Sequence, residues 1–221
     1  MIGRRAVLLA VVAAAACSPE PRRRFAVGFL APVTPRVAAA ARRMGLEIGQ
    51  RAPAGSAVVS AAVAAKDGRG EVTADWLALR YLTDRAVVEG SSGIYLRLPS
   101  TPAGRDYMEY VEESQAVDRV LREILAMRPI FQGGEPSPAP FAVASGIALR
   151  AWAYQGRRFV LLVNVSQDPL PLEAASLVPW RALFSVRADA REDLLPCGSN
   201  RCLPAGGALW LEGRLLPNLR P

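Results

Sequence analysis

The sequence predicts an α+β protein in which a mixed α/β region, residues 25–132, is followed by an antiparallel β-sandwich, residues 141–221. Three observations predict it. Before Gly133, apolar runs of strand length alternate with stretches of helical periodicity, the pattern of α/β units. After Pro140 the helical period gives way to short alternating segments between turn residues, which argues for a sandwich. Between the two regions, Gly133-Gly134-Glu135-Pro136-Ser137-Pro138-Ala139-Pro140 reads as a linker over residues 133–140.

The elements of the first region follow in order. Residues 25–30, Phe-Ala-Val-Gly-Phe-Leu, form a short buried strand. Thr34 offers an N-cap, Pro35 the first helical position, residues 37–44 the body, and Gly45 the stop. Residues 46–48 and 57–65 read as further strands, the second alanine-rich enough to be helical instead. A helix is expected from Thr73 to about Glu89, with Trp76, Leu79, Thr83, Ala86 and Val87 on one face and Gly90 at its end. Residues 92–98 are a strand. The strongest periodicity covers residues 105–127, where Tyr107, Tyr110, Val111, Val117, Leu121, Ile124 and Leu125 make one apolar stripe and Pro129 is expected to terminate the helix. In the second region, residues 147–154 and 158–165 alternate around Gln155-Gly156, a tight hairpin turn. Shorter strands fit residues 170–172, 182–187 and 208–212.

Composition excludes whole classes of chemistry. The chain has no histidine, so it can hold no Ser-His-Asp or Cys-His nucleophile, no histidine metal cage and no imidazole base. No glycine-rich phosphate loop is present, and no cofactor is expected. The net charge is +7, but Lys66 is the only lysine and the one dense basic cluster is Arg22-Arg23-Arg24. A nucleic-acid binder would concentrate its charge along a face, so nucleic acid is not an expected partner. Of the three cysteines, Cys197 and Cys202 lie close together in Leu-Pro-Cys-Gly-Ser-Asn-Arg-Cys-Leu-Pro. Zinc would need two further ligands, and the pair is expected to form a disulfide that staples a turn.

The N-terminus carries an address. Arg4 and Arg5 precede an apolar run of eleven residues, 6–16, that ends in Ala14-Ala15-Ala16-Cys17. A membrane-spanning helix needs about 20 apolar residues, so the run fits the core of a secretory signal instead. Ala-Ala-Ala-Cys resembles a bacterial lipobox, although leucine is more usual where Ala14 stands. The resemblance implies a signal peptide over residues 1–16 and acylation of Cys17, with residues 17–24 a tether kept extended by Pro19 and Pro21. It also implies an envelope protein held by its lipid and facing the periplasm or the cell exterior. Ser18 stands where inner-membrane retention is associated with aspartate, which is compatible with outer-membrane sorting in a two-membrane cell, while the sequence leaves open which membrane holds the protein.

A second resemblance concerns the body of the chain. Thr73-Ala-Asp-Trp-Leu-Ala-Leu-Arg-Tyr-Leu-Thr-Asp-Arg-Ala-Val-Val-Glu-Gly-Ser-Ser-Gly-Ile-Tyr95 looks like the last helix-to-strand unit of a (β/α)8-barrel glycoside hydrolase. Leu98-Pro-Ser-Thr-Pro-Ala-Gly-Arg105 and the long helix after it continue the likeness. The hairpin over residues 147–165, leaving through Asn164-Val-Ser-Gln-Asp-Pro169, is similar to the sandwich that follows such barrels. The resemblance implies that residues 25–132 are a partial, barrel-like α/β region. A complete barrel takes about 250 residues, whereas about 110 stand between tether and linker, so the middle units are expected to be missing.

Glycoside hydrolysis needs two carboxyl groups, about 5–5.5 Å apart in retaining enzymes and about 6.5–9.5 Å in inverting ones. Asp67, Glu71 and Asp106 are the weak candidates, and the first two flank glycines in a charged turn. Tyr95 and Arg97, near the end of the presumed last barrel strand, are placed to line a groove. Trp152, Tyr154, Trp180 and Trp210 are candidates for stacking on sugar, against the alternative that they are core residues. Trp152 and Tyr154 share a strand face with Arg150, the best-placed exposed patch. The leading expectation is a non-catalytic, glycosidase-derived module that binds a glycan or a partner protein. A reduced glycosidase and a structural lipoprotein of an envelope complex remain the alternatives.

Overall fold

The computed structural model describes residues 24–61, 64–66, 72–74, 76–98, 111–173, 177, 179–184, 194–197 and 200–214. The first region supplies β1 (Ala26–Leu30), α1 (Pro35–Arg43), β2 (Glu47–Gly49), β3 (Ala57–Ser60), β4 (Ala64–Lys66), β5 (Val72–Ala74), α2 (Trp76–Val88), β6 (Gly93–Arg97) and α3 (Val111–Gly133). The second supplies β7 (Glu135–Ser137), β8 (Ile147–Tyr154), β9 (Arg157–Asn164), β10 (Leu170–Leu172), β11 (Arg181–Leu183), β12 (Leu195–Cys197), β13 (Asn200–Leu203) and β14 (Ala208–Arg214).

Strands β2, β1, β6 and β3 form a parallel sheet in that order. Helix α1 begins as its residues dictate. The Thr34 hydroxyl accepts a hydrogen bond from the Val37 amide at 3.3 Å, Pro35 opens the first turn, and Arg42 and Arg43 sit in the last turn, where cations suit the helix dipole. The alanine-rich stretch is strand at β3 and again at β4, which pairs with β5. Thr73 therefore lies in a strand, and the helix expected to start there begins at Trp76.

The second region is antiparallel throughout. A five-stranded sheet runs β11-β14-β9-β8-β7, and a three-stranded sheet runs β10-β13-β12. Gln155 and Gly156 close the β8–β9 hairpin with φ of 48° and 72°, the left-handed pair a two-residue hairpin turn demands. Period-two alternation then divides each strand between two cores. Ile147, Ala151, Val160, Leu162, Leu209 and Leu211 face the three-stranded sheet, where Leu172, Leu194 and Leu203 meet them. Trp152, Phe159, Leu161, Val163 and Trp210 face the other way and join a core built from Val27, Phe29, Leu79, Val87, Ile94, Leu96, Val120, Ile124 and Met127.

That shared core corrects the expected division of the chain. Residues 133–140 do not separate two bodies, because Glu135–Ser137 is strand β7, paired with β8 in the five-stranded sheet. Helix α2 contacts β3 and β6 on one side and β8, β9 and β14 on the other, so both regions share its surface. Pro129 does not end the long helix either: α3 continues to Gly133. An internal proline costs about 3 kcal/mol. The next two residues offset it, since Ile130 is buried and the Phe131 ring packs on Phe25, Trp152 and Trp210 at centroid distances of 4.5, 5.7 and 5.8 Å. Burying Ile130 returns about 1.5–3 kcal/mol, and the partly buried Phe131 adds to it.

Asn164, fully buried at the end of β9, fastens the loops beyond the sheet. Its Nδ2 donates to the carbonyls of Asp168, Leu203 and Pro204 at 2.8, 2.9 and 3.1 Å, and its Oδ1 accepts from the Ser166 amide and hydroxyl. Backbone carbonyls that a sheet leaves behind need such partners when they are buried.

Candidate functional site

One row of side chains crosses the parallel sheet on the face away from the main core. The registers align Glu47 of β2, Gly28 of β1, Tyr95 of β6 and Val58 of β3. Gly28 supplies no side chain, so the Tyr95 ring passes over β1 and its hydroxyl donates to Glu47 Oε2. A Cβ at position 28 would stand 2.9 Å from Tyr95 Cε1. Arg24 Nη2 closes the row with a 2.9 Å ion pair to Glu47 Oε1. Burial, then the bond to Glu47 and its charge, push the Tyr95 hydroxyl up to about 12, against a smaller opposing effect of Arg24. Tyr95 is thus a buried, bonded cross-link and does not line a groove. Arg97, two residues on, is exposed at the end of β6.

Strand β8 places Arg150, Trp152 and Tyr154 on one face, as the sequence implies, but that face is covered. Trp152 is 4% exposed and stacks on Trp210 with centroids 5.7 Å apart and planes at 22°. Arg150 Nη1 donates to the Val87 carbonyl at 2.8 Å, satisfying the end of α2, and its guanidinium lies 5.3 Å from the Trp152 ring centre. Tyr154 is half-buried against the same core. The expected exposed patch is therefore an interior surface, because α2 and α3 cover this side of the sheet. Trp180 packs edge-on to Phe141 at 5.8 Å and lies over Gly213.

The structure also brings together residues that the sequence reading passed over. Arg80 and Asp84 on α2, Glu123 on α3 and Trp210 on β14 meet in the seam between the helices and the five-stranded sheet. Arg80 Nε is 2.9 Å from Glu123 Oε2 and 3.7 Å from Asp84 Oδ2, yet this N–H has no directed hydrogen bond, so charge holds the pairing. Trp210 Nε1 donates to Asp84 Oδ1 at 3.0 Å. Burial pushes the Asp84 carboxyl up to about 6, opposed by Arg80 and the Trp210 bond. Burial also pushes Glu123 up to about 7, with Arg80 opposing, Asp84 adding and Arg119 opposing. Outside the seam, the Arg119 guanidinium sits 3.8 Å over the Trp76 ring. The sequence carries a signal for this: Arg80 and Asp84 stand four residues apart on one helix, each next to a residue of its expected core-facing side, Leu79 and Thr83.

Two cavities are lined by described residues. One of about 260 Å³ lies between α1 and α3, floored by Phe29, Val37, Ala41, Met44 and Leu121. A smaller one of about 80 Å³ is bordered by Arg24, Ser91, Ser92 and Arg150. Neither is lined by Asp84 or Glu123. Among the described residues no cluster of three His, Cys, Asp or Glu side chains is placed to hold a metal ion. Cys197 and Cys202 form the expected disulfide across the β12–β13 turn. Asp67, Glu71, Asp106 and Cys17 lie outside the described residues.

No family model matches the chain, and no curated protein does. Solved structures that resemble it in part are glycoside hydrolases. Eubacterium rectale Amy13B aligns at 15% identity over 63% of this chain and 35% of its own, with a TM-score of 0.42. A GH30 endoxylanase from Clostridium papyrosolvens aligns at 11% identity over 86% and 49%, with a TM-score of 0.38. A GH27 β-L-arabinopyranosidase from Geobacillus stearothermophilus aligns at 12% identity over 68% and 34%, also at 0.38. The chain spans from about a third to half the length of these structures.

Proposed function

We propose that the chain is an exported, lipid-anchored envelope protein that binds a partner protein, on a body derived from the end of a (β/α)8-barrel glycoside hydrolase and its following sandwich. The observation that carries the anchoring is the apolar run closed by Ala14-Ala15-Ala16-Cys17. Among the described residues no helix is long and apolar enough to cross a membrane.

Strand order supports the derivation. In a closed eight-stranded barrel the first strand lies between the second and the last. Here β1 lies between β2 and β6, the final parallel strand before the long helix and the antiparallel sheets. The parallel sheet then corresponds to the arc where such a barrel closes.

Two placements support binding over hydrolysis. Among the described residues, Asp84 and Glu123 are carboxylates brought together in a sealed seam, and neither lines the cavity between α1 and α3 or the one beside Arg150. Among the described residues, Trp152 and Trp210 are committed to the core, Trp76 lies under Arg119 and Trp180 lies over Gly213, so none of the four tryptophans offers a fully open face for a sugar to stack on.

The test is fractionation of cells producing the full chain or its Cys17→Ser variant. Wild type stays with the membrane and takes up an alkyne-tagged fatty acid, while the variant does neither. Equal membrane retention of both refutes the anchor. Cross-linking in intact cells then recovers a defined envelope protein. A saturable thermal shift with an envelope or plant oligosaccharide would instead move the reading to a glycan.

A further inference from the structure

Three ionisable side chains are buried together where α2, α3 and β14 meet. Arg80, Asp84 and Glu123 are 5%, 5% and 8% exposed. The charge count does not close. Two carboxylates face one buried guanidinium, and Asp84 Oδ2, itself buried, has no hydrogen-bond partner. Arg119 approaches Glu123 Oε1 only to 3.8 Å, and its side chain is 44% exposed, so water screens much of what it offers. A fully ionised cluster leaves excess negative charge in an apolar seam, which proteins avoid by keeping a proton.

We infer that the Arg80–Asp84–Glu123 cluster is a proton-linked latch: the folded chain holds one proton in this seam, and the junction of helices and antiparallel sheet tightens as pH falls. The groups acting on the two carboxyls come from each element packed there. Helix α2 gives Arg80 and Asp84, α3 gives Glu123 and Arg119, and β14 gives the Trp210 N–H. Strands β8 and β9 add Trp152, Phe159 and Leu161 to the same core, and β3 and β6 add Val59, Ile94 and Leu96. Arg150 of β8 is engaged one turn further along α2, at the Val87 carbonyl.

Both carboxyls are held above ordinary carboxylate values, chiefly by burial. The folded state therefore binds more protons than the unfolded chain between about pH 4 and 7. Their contribution to stability is complete below the unfolded values and is lost as pH rises through the folded ones. The chain offers a clean background for this effect. It has no histidine, the side chain that ordinarily titrates between about pH 5 and 8.

The test uses the full chain, purified in detergent. Calorimetric unfolding at pH 6 in buffers of different ionisation heat should report release of about one proton per molecule. The urea midpoint should fall as pH rises from 5.5 to 7.5, and Glu123→Gln should flatten that slope. Should Glu123→Gln fail to fold, Asp84→Asn and a carboxyl-carbon NMR titration of the wild type read the same proton. Zero proton release, or a slope unchanged in the variant, overturns the inference.

Discussion

Replacing Gly28 by alanine tests the row that crosses the parallel sheet. The new Cβ would stand 2.4 Å from the Glu47 carbonyl oxygen, a backbone atom of the neighbouring strand, and 2.9 Å from Tyr95 Cε1. Neither contact is tolerable, and neither neighbour moves cheaply. Separating β1 from β2 strains a sheet whose registered pairs at this edge are Gly28–Glu47, Phe29–Ile48 and Leu30–Gly49. Displacing the ring breaks the hydroxyl bond to Glu47, a bond to a charged acceptor worth about 1.5–3 kcal/mol. Overpacking adds about 1–3 kcal/mol. Gly28→Ala should therefore cost about 3–5 kcal/mol, a large share of the stability of an ordinary domain. The assay is urea unfolding followed by tryptophan fluorescence, with Tyr95→Leu and the double variant alongside. Because alanine and the ring compete for one space, the double variant should cost less than the sum of the single ones. A loss below about 1 kcal/mol for Gly28→Ala, or strict additivity, refutes this account of the row.

Two further expectations concern the antiparallel half. Asn164→Asp keeps the shape but replaces the amide that serves three carbonyls with an acceptor; it should cost about 3 kcal/mol or more, read from the urea midpoint, with a greater loss at pH 8 than at pH 4 because the new carboxyl is buried. Replacing both Cys197 and Cys202 by serine should cost toward the low end of about 2–4 kcal/mol, since the loop is short, and hydrogen exchange should quicken in β12 and β13 while β9 stays protected.

The parts of the fold legible in the sequence are those decided locally. Thr34 and Pro35 announce a helix because a cap and a fixed φ act within one turn, and Gln155-Gly156 announces a hairpin because only certain residues accept its dihedrals. The failures share a different cause. Pro129 stops a helix unless burial downstream outweighs the lost hydrogen bond, and Ile130 and Phe131 supply that burial from contacts with strands far along the chain. Glu135-Pro136-Ser137 looks like a linker by composition, yet β7 lies at the end of the five-strand order, an edge where proline is tolerated.

The covering of the β8 face is hidden in the sequence for a related reason. Period-two alternation establishes that Arg150, Trp152 and Tyr154 share a face, but it does not say which face of a sheet will be covered. Here both faces of the five-stranded sheet are covered, by the three-stranded sheet on one side and by helices on the other. The helices take the face with the tryptophans. That choice brings Trp210 to Asp84 and puts the charged cluster into a seam otherwise sealed by Trp152, Phe131 and Leu79. Apolar residues of similar volume often stabilise such a position by about 1–4 kcal/mol relative to a buried ion cluster. The seam is therefore less stable than it could be, and the deficit grows as the shared proton leaves.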